Sequence, residues 1–450
     1  MAVLYFTSNA DSGDGTLRDV MTDANDGDII TFDPATFTEK GDIVIALSSG
    51  LPLKSVTIRG AVDKRIILDR QESGYFIRVA TGGKTLAFEN VDFKNGSRTT
   101  NLESPFYIGT VNGTTVTFNN CKFYNNFGYY AGFLRGVAGA TNTTLTFNNC
   151  LAYNNRHDVA NASADFMAFQ SAAEPTIVFN GCTIDASEGN QSFTNLSSYD
   201  KNNCIYKTVS TYYPEGLDPA IDFVNHSGND YRLAPGSAYL TGGSTTGADI
   251  LGHTRTGSWG AYDGSWLVSP FTVSQDTAVN YADIQGAVTL ADGAVVKVGK
   301  LYAAGGSVSA SGRAYFCADT LTGLTFTNVV AATPSGVSAI AASIAENVAT
   351  VDVTATGTGY VVEISDDLQS WTTLSLNNGK AMLSNSNALY FRVFDGGFLR
   401  SEIVPRYYYY QGAASGGSFA TASDWSLDKA GAIALSSKPT ISGCYFDCRK

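Results

Sequence analysis

Residues 116–126 read VTFNNCKFYNN, and residues 145–155 read LTFNNCLAYNN. Three further segments follow the same outline: VTIRGAV (56–62), LAFENVDFKNG (86–96) and IVFNGCTIDAS (177–187). Their central apolar residues recur at intervals of 30, 30, 29 and 32 residues. A repeat of this length is typical of solenoids, in which one unit cannot bury its apolar face without its neighbours. The central residues are Ile58, Phe88, Phe118, Phe147 and Phe179.

Each repeat contains three short strand patterns. A second apolar segment precedes the last four copies, in YFIRV (75–79), FYIGTV (106–111), GFLRGV (132–137) and FMAFQ (166–170). A third short strand follows the paired asparagines or their equivalents. Strands stacked about 4.8 Å apart form continuous parallel sheets around an apolar core. The sequence therefore predicts an all-β chain that begins with a right-handed parallel β-helix.

Strand alternation predicts which side chains of the repeat point inward. Phe118, Cys121 and Phe123 should line the core, with a turn at the asparagines resetting the phase, while Lys122 and Tyr124 face solvent. Because cysteine recurs at one repeat position, we expect these cysteines to act as small buried hydrophobic residues. The stacked columns predicted by this register are Val91, Cys121, Cys150 and Cys182 in the core and Asn90, Asn120 and Asn149 at a bend.

Composition limits the partners and the location. The 450 residues carry 29 Lys and Arg against 41 Asp and Glu, a net charge of −12 that disfavours nucleic acid. No apolar run reaches the roughly 18 residues of a membrane span, and the opening MAVLYFTSNADSGDG does not resemble a secretory signal. We therefore expect either the mature part of an exported bacterial protein, extracellular or on the cell surface, or a leaderless phage fibre.

Both ends of residues 1–263 carry recognisable patterns. DGTLRDVMTDANDGDIITF (14–32) has helical apolar spacing and predicts a capping helix at about 15–25. The segment 229–263 contains Tyr-Arg-Leu-Ala-Pro-Gly-Ser followed by Asp-x-x-Gly-x-x-Arg and Gly-Ala-Tyr-Asp. Together they resemble the pectate-lyase-like β-helices of polymorphic outer-membrane and large anchored bacterial surface proteins. The residues that match the closing signature are Asp249, Gly252, Arg255, Gly260, Ala261 and Tyr262.

The remaining chain predicts smaller β units. Residues 264–328 have short alternating runs and Ala-Asp-Gly turns, which indicate a β-rich connector. Residues 329–405 resemble an immunoglobulin-like or fibronectin-like β-sandwich module, with Trp371 as a candidate core residue. Residues 406–450 indicate a β tail, the start of a further unit, in which Cys444 and Cys448 are close enough in sequence for a local disulfide.

The catalytic signal in the sequence is weak. β-Helix hydrolases of the polygalacturonase type need clustered aspartates beside Gly-His-Gly, and pectate lyases need a Ca²⁺-binding carboxylate cluster with an arginine base; the repeats contain neither pattern. The best local set is Arg156, His157 and Asp158, at the start of a loop, with Asp165 nearby. A solvated loop explains the same residues, so we expect no catalytic site.

We expect no cofactor and no metal site. The acidic turns DSGDG and NDGD could hold a structural Ca²⁺, but neither matches an EF-hand loop, and ordinary Asp-Gly turns explain them.

Aromatic residues at outward positions of the repeat predict a binding surface. Tyr124 and Tyr153 occupy equivalent outward positions, and Phe127, Tyr129 and Tyr130 follow in the next loop. Aromatic rings beside asparagine amides suit the apolar faces and hydroxyl edges of sugars, so glycans or host and cell-surface receptors are the expected ligands. The alternative is that the tyrosines stack on one another and the loop rings pack back onto the protein.

Three functions are compatible with the sequence. The first is a non-enzymatic structural or adhesive segment of a large secreted or surface-anchored protein. The second is a polysaccharide lyase or glycoside hydrolase, which would require a carboxylate cluster on one lateral face. The third is a phage tail fibre or spike. Because the same scaffold supports many activities, the fold alone does not choose among them.

Overall fold

The computed structural model describes the chain as two compact units, Met1–Ser265 and Trp266–Lys450. The described residues are 1–98, 104–158, 164–170, 175–186, 192–194, 200–207, 212–213, 217–335, 337–345, 348–365, 370–384, 390–394, 399–403, 406–410, 425–426 and 444–447.

The first unit contains three large sheets whose strands are almost all parallel, an arrangement consistent with a β-helix-like fold. A smaller parallel sheet contains Ser97–Arg98, Phe127–Gly128 and Arg156–His157. Its first sheet contains Val3–Phe6, Ile29–Phe32, Thr57–Arg59, Thr85–Glu89, Thr115–Asn119, Thr144–Asn148, Thr176–Asn180 and Asp200–Asn202. The second contains Ile43–Ala46, Ile66–Asp69, Val91–Lys94, Lys122–Tyr124, Leu151–Tyr153, Thr183–Ile184, Ile205–Lys207 and the antiparallel Tyr212–Tyr213. The third contains Ile77–Val79, Phe106–Ile108, Leu134–Gly136, Met167–Phe169 and Phe193–Thr194.

Equivalent residues of successive coils pair in the register that the repeat predicts. Phe118 pairs with Phe88 on one side and Phe147 on the other, and their ring centroids lie 5.2 and 4.9 Å apart in stacked geometry. Cys121 is fully buried, as predicted, and the cysteine column extends beyond the predicted residues to Cys204. Burial raises the pKa of the Cys150 and Cys204 thiols. The cysteines of this column are therefore buried core residues without disulfide partners.

The asparagines of the repeat have two structural roles, one at the bends and one inside the coils. Asn120 has φ of 55°, in the left-handed region that asparagine tolerates better than most residues, and Asn125 has φ of 57°. These two residues turn the chain at either end of Lys122–Tyr124. Asn126 is buried, and its side-chain amide donates to the carbonyl of Phe93 in the preceding coil at 3.1 Å. The repeated asparagines therefore fix the bends and satisfy backbone groups inside them.

A short helix covers apolar side chains at the first coils. It spans Leu17–Asp23, within the predicted range, and Thr16 caps it by accepting a hydrogen bond from the Asp19 amide. Leu17 and Met21 are buried in the same core cluster as the coil residues.

The segment after residue 217 packs on the outside of the second sheet. It contains the helix Pro219–Asp222, the hairpin Phe223–Asn225 and Asp230–Leu233, and the 3₁₀ turns His226–Gly228 and Ala238–Leu240. Within the closing signature, the Arg255 guanidinium donates to Asn149 Oδ1 at 2.7 Å, and the Ala261 amide donates to Thr183 Oγ1 at 2.9 Å. The matched residues therefore fasten this segment to the coils. Its apolar side chains share a cluster with Leu151 and Ile205 of the sheet.

Residues 264–328, predicted as a β-rich connector, belong to a seven-stranded sheet with its own apolar core. Neighbouring strands are parallel, and residues 271, 288, 308 and 326 occupy equivalent positions in four of them. Buried aliphatic residues such as Leu267, Val296 and Val308 form a separate cluster. The strands are Trp266–Val268, Phe271–Val273, Thr277–Ile284, Ala287–Leu290, Val295–Ala304, Ser307–Cys317 and Thr325–Ala332.

Antiparallel sheets of three and four strands follow. The first contains Val337–Ala345, Val348–Ala355 and Lys380–Ser384, and the second Val361–Ser365, Thr372–Leu374, Tyr390–Phe394 and Leu399–Ile403. A three-stranded sheet of Arg406–Tyr410, Trp425–Ser426 and Cys444–Asp447 ends the described chain.

Trp371 differs from its prediction as a core residue. It is half-buried, and the Arg392 guanidinium lies 3.8 Å from its ring centroid. Arg392 Nε also donates to the buried carboxylate of Glu363 at 2.7 Å, so Trp371 covers an ion pair instead of joining the aliphatic cluster. The local disulfide that the sequence allows between Cys444 and Cys448 depends on Cys448, which lies outside the described residues.

Candidate functional site

Tyrosines line the outer face of the second sheet in adjacent coils. Tyr124 pairs with Tyr153, and their rings stack with an interplanar angle of 1° and centroids 5.2 Å apart. Tyr153 in turn packs against Tyr231 of residues 217–263, the closing segment, with centroids 5.6 Å apart. Burial raises the pKa of Tyr124 and raises that of Tyr153 to about 12, so both phenols stay neutral at physiological pH. Tyr124 and Tyr153 are therefore half-buried, whereas the sequence predicted that they face solvent.

The other aromatic residues predicted to bind ligands are also engaged within the chain. Tyr129 and Tyr130 meet edge to face with centroids 4.9 Å apart. The Arg135 guanidinium lies 4.0 Å from the Tyr130 centroid, a cation–π distance. Phe127 is half-buried in a short strand that pairs with Arg156–His157. Sugar rings stack on aromatic faces, and much of the face area of Tyr124, Tyr129 and Tyr130 is covered by neighbours.

A polar centre lies at the end of the tyrosine row. Asp185 occupies the position in its coil that Tyr124 and Tyr153 occupy in theirs. Its carboxylate Oδ2 accepts a hydrogen bond from the Tyr231 hydroxyl at 2.8 Å and lies 3.2 Å from His226 Nε2. The Asp185 side chain is 11% exposed and that of His226 is 29% exposed. The carboxylate is therefore fixed in place and still reached by solvent from one side.

A groove of about 710 Å³ opens at this centre. The His226 ring stacks on Phe223 with centroids 5.9 Å apart and meets Tyr231 edge to face, so packing fixes its orientation. Ala186, Ala220 and Ser227 contribute small side chains to its lining, and three asparagines contribute amides. The lining residues are Asn154, Asp185, Ala186, Asp218, Pro219, Ala220, Phe223, Val224, Asn225, His226, Ser227, Asn229 and Tyr231.

The chemistry available in this groove favours binding. A fixed carboxylate accepts hydrogen bonds from ligand hydroxyls, and exposed asparagine amides both donate and accept. The helix Pro219–Asp222 and the hairpin that follows it form the wall facing the coil. Hydrolysis of a glycosidic bond usually uses a pair of carboxyl groups across the scissile bond. The second carboxylate of the lining, Asp218, caps the helix and accepts a hydrogen bond from the Ala220 amide at 2.9 Å. Asp185 already shares one oxygen with two partners, which suits orientation of a ligand better than proton transfer to it.

The four catalytic candidates occupy different environments. Arg156 and His157 form a short strand, which corrects the prediction of a loop at this point. His157 Nδ1 lies 2.8 Å from Asp165 Oδ1, and both side chains are buried, at 4% and 0% exposure. Arg156 is exposed and Asp158 is half-buried. The structure thus brings His157 and Asp165 together inside the protein, where a polymeric substrate does not reach them.

The Asp185 centre was missed because its partners are far apart in sequence. Asp185 continues the outward column of Tyr124 and Tyr153, and His226 stands 41 residues later in the chain. They meet only because residues 217–263 fold back over the second sheet. The replacement of a tyrosine by aspartate in one coil of a regular column was the available signal.

Within the described ranges, no group of three or more His, Cys, Asp or Glu side chains is arranged to hold a metal ion. Among the same residues, no helix has the length and hydropathy of a membrane span. No protein-family model matches the chain, and neither a curated protein nor a solved structure matches it.

Proposed function

We propose that this chain is a non-enzymatic structural and adhesive segment of a large exported bacterial surface protein, and that it binds a glycan in the Asp185 groove. The observation that carries the binding part is the carboxylate of Asp185, held by Tyr231 and His226 at the floor of an open groove. Convergent, fixed polar groups in a concave site are characteristic of small-ligand recognition.

The structural part of the proposal rests on the stacked core. Phenylalanine and cysteine columns continue from coil to coil, and such stacks give rigid, elongated modules. A right-handed, pectate-lyase-like coil is proposed because crossovers between parallel strands are almost always right-handed, and because both terminal signatures are present in the sequence. The three-stranded and four-stranded antiparallel sheets support an immunoglobulin-like or fibronectin-like spacer.

Ala220 and Ile221 provide a matched pair of variants for the test. Ala220 is exposed and lines the groove, whereas its neighbour Ile221 is 67% exposed and does not line it. The full chain, Ala220→Trp and Ile221→Trp are applied to a printed array of neutral and acidic oligosaccharides. We expect discrete binding by the full chain that is lost with Ala220→Trp and kept with Ile221→Trp. Absence of binding by the full chain, or equal binding by both variants, would refute the groove as the site.

The non-enzymatic part has its own assay. The full chain is incubated with soluble acidic and neutral polysaccharides, and the products are measured as new reducing ends and as unsaturated uronates absorbing in the ultraviolet. We expect neither product above a boiled control. Sustained formation of either one would replace this proposal with the lyase or hydrolase alternative.

A further inference from the structure

A second polar groove lies where strands of the first sheet end, just before the bends that lead into the second sheet. Asn148, Asn180 and Asn202 occupy equivalent positions at the ends of adjacent strands in the first sheet. Each of them donates a side-chain N–H to the asparagine oxygen of the preceding coil, beginning at Asn119, and each distance is 2.8 Å. An asparagine amide has two N–H groups and two acceptor lone pairs, so this ladder leaves part of that capacity for a ligand.

The opposite wall of this ladder groove comes from residues 244–246. Asn203 Nδ2 donates to Thr245 Oγ1 at 2.6 Å and to Ser244 Oγ at 3.2 Å, which fixes the wall relative to the coils. The groove has a volume of about 370 Å³, and its described lining contains only amide and hydroxyl side chains. The lining residues are Asn148, Asn149, Asn180, Asn202, Ser244, Thr245 and Thr246.

The Arg255 guanidinium contacts one lining residue and is not itself part of the described lining. It is hydrogen-bonded to Asn149 Oδ1 at 2.7 Å and to the Gly260 carbonyl at 2.8 Å. Its donors are therefore engaged with acceptors of the protein. A groove with donors, acceptors and no charge among its described lining residues selects neutral, hydroxyl-rich ligands over acidic ones.

We propose that the ladder groove binds a strand of a neutral, extended polysaccharide. The ladder offers one amide per coil, and adjacent strands of a sheet lie about 4.8 Å apart. An extended polysaccharide presents one ring per repeat at a similar spacing. Alternate rings are turned over, but each ring carries hydroxyls on both edges, so successive rings can each present a hydroxyl to the ladder. An extended peptide presents its same-side groups about 6.6 Å apart, because each residue rises about 3.3 Å, so its groups fall out of step with the ladder. This site is independent of the Asp185 groove, and each can fail without the other.

The test compares glucans of one composition and two shapes. The full chain is mixed with microcrystalline cellulose, an extended glucan, and with insoluble amylose, a coiled glucan, and the bound fraction is measured after sedimentation. Chitin and crystalline mannan extend the comparison to other neutral, extended chains. We expect binding to at least one extended polymer, at about ten-fold higher affinity than to amylose.

Variants on the wall locate the site. Thr246 is exposed and lines the groove, whereas Thr241 is also exposed and does not line it. We expect Thr246→Trp to weaken binding to the extended polymer by about ten-fold or more, and Thr241→Trp and Ala220→Trp to leave it unchanged. The proposal is overturned if no extended polymer binds, if amylose binds equally well, or if Thr246→Trp binds like the full chain. Circular dichroism of each variant establishes that the fold is retained.

Discussion

Truncation of Phe118 to alanine tests the stacked core most directly. The ring is fully buried and lies 4.9 to 6.1 Å, between centroids, from the rings of six other phenylalanines. Truncation of a buried phenylalanine costs about 3–5 kcal/mol, and the cost is greatest where the surroundings cannot collapse into the cavity. The neighbours of Phe118 are held by parallel sheets on both sides. We therefore expect a loss near the upper end, about 4–5 kcal/mol, in the free energy of unfolding of the first unit.

The assay is urea unfolding of the full chain, followed by far-ultraviolet circular dichroism. With a urea dependence of about 3 kcal/mol/M, a loss of this size lowers the midpoint of the first unit by about 1.5 M. The control is Phe127→Ala, which removes a half-buried ring from the same repeat and should cost about 1 kcal/mol or less. Equal effects of the two substitutions, or a shift confined to the second unit, would contradict the assigned core.

Two further predictions concern the bends and the first coil. Replacement of Asn120 by glycine should lower the stability only slightly, because glycine adopts a φ of 55° freely and Gly181 occupies the equivalent position with φ of 57°. Replacement by alanine should cost about 1–2 kcal/mol more in the same unfolding assay. Equal stability of the two variants would show that the left-handed backbone at this bend is not the constraint. The Asp28 carboxylate accepts hydrogen bonds from the backbone amides of Ala2 and Asn25, and these bonds lower its pKa below the ordinary value of 3.8. The ionised carboxylate therefore stabilises the fold fully above pH 3.8, and this stabilisation is lost as the pH falls through the lowered pKa. Asp28→Asn should therefore be less stable than the parent at pH 7, and the difference should shrink as the pH falls below 3.8. A difference that stays constant as the medium is acidified would exclude the assignment.

Sequence reasoning succeeded where one side-chain pattern recurs in every coil. The period placed Phe118 opposite Phe88 and Phe147, and the cysteine position indicated a core column, because stacking equivalent residues is the only way such a repeat buries its apolar face. The bend at Asn120 was also predicted, since the alternation of inward residues changes phase there. These features depend on local sequence and one repeated contact.

The same reasoning failed where the contacts are not repeated. The strands from Trp266 to Ala332 stack like those of the first unit, but their equivalent residues, Phe271, Val288, Val308 and Phe326, share only apolar character and carry no marker such as paired asparagines. The Asp185 centre required knowledge that the chain after residue 217 returns over the second sheet. Turn and strand patterns predict such elements without giving the place where they dock.

The eleven-residue pattern also positions the two grooves that we propose as binding sites. Its left-handed asparagines, Asn149 and Asn154 in one coil, turn the chain on either side of Leu151–Tyr153, a strand of only three residues. Asn148, just before the first bend, lines the ladder groove, and Asn154, at the second bend, lines the Asp185 groove. The two grooves are therefore separated by one short rigid strand, and the closing segment supplies the outer wall of both. A register change in this coil would displace both walls together, whereas a bulky residue on one wall affects a single groove. For that reason Ala220→Trp and Thr246→Trp can separate the two sites without disturbing the core that positions them.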